Sequence, residues 1–152
     1  MSQINRQPLC ELERSQILSR LTPGIISVAK RLGPIEMLLS KPTAEHFNQH
    51  RQPTEVICLS GILLAIAVRG GSPQDIARYA RNRDYEPLFQ GCERAIFDSL
   101  LDGVEPDQRE TAITAVIELA ATIDECMNLL TEEAGITRAV LFEVLFPERT
   151  RE

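Results

Sequence analysis

The chain of 152 residues contains no tryptophan, two tyrosines and five phenylalanines. A core must therefore be built from Leu, Ile, Val and Ala, whose interlocking depends on helix or sheet geometry more than on a few large rings. The four cysteines, Cys10, Cys58, Cys92 and Cys126, are scattered with no CxxC pair, which excludes a zinc-finger spacing and a local redox motif. There is no HExxH, no GxGxxG and no Walker lysine, so the compact signatures of zinc hydrolases and of nucleotide-binding loops are missing. Nothing in Met1–Pro8 resembles a secretory signal, and a reducing cytoplasm is the expected location.

What is present is helix punctuation. The nine prolines and eight glycines fall mostly between apolar segments of helical period. The most conspicuous segment is Val56–Val68, thirteen residues with nothing more polar than Cys58 and Ser60. As a helix it would be about 20 Å long, too short for the ~30 Å hydrocarbon core of a bilayer. It reads as a buried helix near 55–69 around which the others pack, with Thr54 as N-cap and Gly70-Gly71 as terminator. Cys58, Gly61, Ala65 and Val68 form a narrow stripe of small residues, expected to receive a close neighbour, the Ala-rich helix Pro106–Ala134. On that reading Gly61→Leu disrupts folding.

The remaining segments follow in order. A helix is expected from Pro8 to Leu21, then a separate short one opened by Thr22-Pro23 and closed at Gly33-Pro34. Short pieces follow at Ile35–Ser40 and Ala44–His50. Ser72-Pro73-Gln74-Asp75 is a strong helix start, and a further helix is expected from Tyr85 or Pro87 to Asp102. Pro106–Ala134 carries Glu118, Glu125 and Glu132 on one polar face, and Gly135 ends it. The last segment, 136–146, has helical periodicity but strand-like composition, which leaves helix or strand open. The fold class is all-α: an irregular multi-helix bundle of about seven to nine helices. A single α-helical domain is expected over 8–146, with disordered ends at 1–7 and 147–152.

Charge is divided along the chain. Residues 1–83 hold eleven Lys/Arg against six Asp/Glu, and residues 84–152 hold five against sixteen, giving the net charge of −6. The basic half can pair with the acidic half of its own chain, with a second copy, or with an acidic partner. Arg78, Arg81 and Arg83 are its densest cluster and are candidates for binding a partner protein or phosphate. With the helices expected on either side they have the proportions of a helix-turn-helix. The second helix would start Tyr85-Glu86-Pro87-Leu88-Phe89, however, which is acidic and apolar where a DNA reader presents amides and bases.

His46 and His50, the two histidines, stand four residues apart on one helix face and could share a metal, but no third ligand or carboxylate partner accompanies them; surface side chains are the simpler reading. Arg69-Gly70-Gly71-Ser72 could cradle an anion, yet Asp75 places negative charge at the same helix end. No nucleophile–base pair is apparent. No cofactor, no metal and no membrane are expected. The leading functional expectation is a non-enzymatic protein-interaction module, an adaptor, chaperone or regulator, binding another protein or a second copy of itself. Phe142 and Phe146 are its candidate interface. The alternative is a nucleic-acid-binding regulator using Arg78, Arg81 and Arg83.

Overall fold

The structure, a computed structural model, describes residues 10–32, 38–84 and 88–145, with Ala29 and Leu145 described by backbone only. Among these residues there are seven α-helices and no strand. They are α1 (Glu11–Leu32), α2 (Lys41–His50), α3 (Pro53–Val68), α4 (Pro73–Asn82), α5 (Glu93–Asp102), α6 (Arg109–Ala134) and α7 (Arg138–Leu145). A 3-10 turn, Pro106–Gln108, leads into α6. The all-α expectation holds, and 138–145 is helix. The expected disordered ends, 1–7 and 147–152, lie outside the described residues, as do the first three residues of Ile35–Ser40.

The longest helix, α6, packs against each of the other six. Its inward positions alternate small and large: Ala112, Ile113, Ala115, Val116, Leu119, Ala120 and Ile123 are buried. Small residues let neighbouring backbones approach, and the branched ones between them fill the gaps. Gly135 ends α6 in the left-handed region at φ 67°, where glycine carries no Cβ penalty.

α3 lies against α5, α6 and α7 and buries Leu59, Ile62, Leu63 and Ala65–Val68. It departs from expectation in two ways. Its N-cap is Gln52, with Pro53 in the first turn and Glu55 Oε1 accepting the Gln52 N–H at 2.8 Å; Thr54 lies inside the helix. More consequentially, α3 is not enclosed: Ile57, Cys58 and Gly61 are exposed, and a Cβ built on Gly61 meets nothing within 4 Å. α6 is its neighbour, as expected, but across the bulky face Leu59, Ile62, Leu63 and Ile66. The small-residue stripe is therefore corrected: Ala65 and Val68 are buried, whereas Cys58 and Gly61 face outward. Two helices of large apolar residues gain more from burying those than from burying a glycine, so the bulky stripe takes the inner side.

α1 is one helix, not two. Pro23 lies inside it, and the break expected at Thr22-Pro23 does not occur. A proline in mid-helix removes one hydrogen bond and costs about 3 kcal/mol. Docking offsets this, because Ile17, Leu21, Gly24 and Val28 make a single buried line that runs past the proline. Ile17, Leu21 and Val28 join Val68, Leu130, Ala134, Leu141 and Val144 in a second apolar cluster beside the main one. Gly24 lies where a Cβ would sit 3.3 Å from Leu130 Cδ1. Arg14 donates to the Val144 carbonyl at 3.1 Å, and Arg31 pairs with Glu133 at 3.0 Å. The helix is thus anchored on both sides of Pro23.

Candidate interaction surface

The three arginines singled out in the sequence lie at the end of α4, and acids of the same chain meet each of them. Arg83 donates to Asp98 at 3.1 Å and to Asp102 at 2.5 Å. Arg81 reaches Glu110 at 2.8 Å, and Arg78 lies 3.4 Å from Asp84. Arg83 adopts φ 57°, a left-handed conformation uncommon for a side-chain-bearing residue, and its two carboxylate partners hold it there. Beside it the fully buried Tyr79 donates its hydroxyl to Asp98 at 2.9 Å and accepts from Arg94 Nε at 3.1 Å. Desolvation raises the Tyr79 phenol above its ordinary pKa. The hydrogen bond from Arg83 pulls Asp102 below the usual carboxylate range, and the same bond raises the guanidinium.

These contacts join α4 to α5 and α6. Arg69 continues the pattern further along, pairing with Glu93 at 2.7 Å and donating to the Leu88 carbonyl at 3.0 Å. The division of charge along the chain is thus partly met within the chain: Arg31, Arg69, Arg78, Arg81 and Arg83, five of the eleven basic residues of the first half, meet carboxylates of the second. The helix-turn-helix proportions are corrected as well. α4 ends at Asn82 and α5 begins only at Glu93, a gap far longer than the three- or four-residue turn of that motif.

The other sequence candidates are dispersed. Phe142 is half-buried and packs into the second apolar cluster; Phe146 lies outside the described residues. At Arg69–Ser72, Asp75 accepts the Ser72 N–H at 3.1 Å and so occupies the helix end that an anion would need. His46 is not a surface side chain: it is 3% exposed, with Nδ1 lacking a hydrogen-bond partner among the described residues. His50 is exposed, its ring centroid 5.3 Å from that of His46. No group of three or more His, Cys, Asp or Glu among the described residues is placed to hold a metal ion. Burial, and secondarily the charge of Glu125, raises the Cys126 thiol, while Cys58, expected to be buried, is exposed.

One surface was not anticipated. α2 and α3 diverge to leave an open cleft of about 330 Å³ over α6, walled by Phe47, Val56, Ile57 and Leu119. Ile57 is 71% exposed at its edge. The charged group in its lining, Arg51, is turned away, with its guanidinium bonded to the Leu100 carbonyl and 3.6 Å from Glu55. The cleft continues into the uncovered Ile57–Cys58–Gly61 face of α3. The sequence carries a signal for this surface, namely an apolar helix with no charged residue between Glu55 and Arg69. Which face stays open depends on where α2 comes to rest.

No helix among the described residues is long and apolar enough to cross a membrane. Comparison with models of protein families, with curated proteins and with solved structures finds no match.

Proposed function

We propose that the chain is a protein-binding module, acting as an adaptor, chaperone or regulator without chemistry of its own, and that the α2–α3 cleft with the adjoining face of α3 is its working surface. The observation that carries this reading is Ile57, a large aliphatic side chain 71% exposed on the most apolar helix of the fold, at the mouth of a cleft walled by Phe47, Val56 and Leu119. An apolar helix side left open in water is costly unless a partner covers it. A cleft of this size accepts one or two large apolar side chains, such as those on one face of an amphipathic helix. That helix can belong to a different protein or to a second copy.

The arginine cluster supports this reading less than the sequence suggests, because its guanidinium groups already have carboxylate partners. The nucleic-acid reading loses its main support for the same reason. Sedimentation velocity across a concentration series, together with affinity capture, tests the proposal with Ile57→Glu as the paired variant. The expected result is self-association or capture of a defined protein by the parent, lost in a variant that keeps its helicity. A monomer at every concentration, with the same captured set for both chains, overturns it.

A further inference from the structure

The other unusual feature of this region is His46, independent of whether the cleft binds anything. It is a titratable side chain buried where a positive charge has no compensation. Its ring lies edge-on to Phe47 at 5.7 Å and near the ring of His50 at 5.3 Å, and Arg51 caps the same helix end. Two carboxylates on the packed elements are engaged elsewhere. Glu118 of α6 accepts the Ser40 amide at 2.6 Å, and Glu55 of α3 caps its own helix and lies 3.6 Å from Arg51. On α2 itself Lys41 and Glu45 are exposed to solvent. A proton added to His46 would create a buried imidazolium facing the fixed positive charge of Arg51.

We infer that α2 is an acid-sensitive latch: the neutral imidazole of His46 lets α2 dock on α6, and protonation drives His46 outward and loosens the helix. Phe47 is the next residue and walls the cleft, so the same event remodels that surface. Burial first, then His50 and Arg51, lower the His46 pKa below 6.5. The unfolded or undocked state, with the ordinary value, therefore takes up the proton first. The stabilising contribution is fully present above pH 6.5 and is lost as pH falls from there through the folded-state pKa.

Amide hydrogen exchange of the whole chain between about pH 7.5 and about pH 5, corrected for intrinsic rates, reads the latch directly. The opening equilibrium of α2 rises by up to about tenfold per pH unit, as one proton per opening requires, while protection in α6 changes much less. His46→Gln, which cannot titrate, abolishes this rise, and His50→Gln retains it. Since His46→Gln alters a buried position, proton NMR titration of the parent chain gives a second measurement, with His46 titrating below 6.5. A His46 titration at or above that value, or an α2 response unchanged in His46→Gln, overturns the inference.

Discussion

Two glycines show how little residue type says without its surroundings. Gly61 lies on a solvent-facing part of α3, and a Cβ there meets nothing within 4 Å. Gly61→Ala is expected to raise stability by up to about 1 kcal/mol, the ordinary helix preference for alanine over glycine. At Gly71, by contrast, an added Cβ would overlap Ile66 Cγ2 and come 3.0 Å from Leu88 Cδ1. Gly71→Ala is expected to cost about 1–3 kcal/mol as those side chains are displaced. Urea unfolding of the two variants side by side checks the contrast; a loss of stability in both would mean that Gly61 does not face solvent. His46 makes the same point with chemistry. Two histidines at i, i+4 look equivalent in the chain, yet one is buried and one is exposed.

Among elements, α1 and α7 depend on partners for their form. α1 passes through Pro23 without a break because one side is docked over its length, and the exposed proline ring projects away from the contact. Pro23→Ala should restore a backbone hydrogen bond and stabilise the fold by about 1–3 kcal/mol with an unchanged denaturant slope. A loss of stability instead would place a bend at Pro23 among the requirements for docking. The eight-residue α7 is too short to be stable alone. Arg138 fastens its start, donating to the Asp124 carboxylate at 2.7 Å, the Ala67 carbonyl at 3.0 Å and the Asn128 side chain at 2.5 Å. Val144 and Leu141 then complete the second apolar cluster.

Over the whole molecule, charge is arranged as internal bracing. Asp102 receives hydrogen bonds from both Arg83 and Arg109, and its pKa is lowered from 3.8, first by the Arg83 bond. A carboxylate with a depressed folded-state pKa stabilises above its unfolded value, and that stabilisation disappears as pH falls through the folded one. Acid unfolding is therefore expected to steepen below about pH 3.8, and Asp102→Asn should flatten it, in pH-dependent thermal melts. The effect is modest, because the pair is half-exposed and solvent screens it. This loss begins below about pH 3.8, whereas that assigned to His46 begins below pH 6.5.

The sequence by itself determined the helical class, most helix positions and the strong start at Ser72, because period, proline and capping chemistry act within a few residues of one another. It also contained the division of charge, without saying whether the two halves meet each other or a partner. Tertiary structure shows that five arginines of the first half meet carboxylates of the second, and it decided which side of α3 is covered, that Pro23 lies inside a helix, and that His46 is buried. Each depends on a contact between residues far apart in the chain: Arg83 with Asp98 and Asp102, α1 with Leu130 and Val144, α2 with α6. Local rules propose where helices begin and end. The larger gain from burying bulky apolar surface selects which faces meet, and it leaves Ile57 and the cleft beside it open to water.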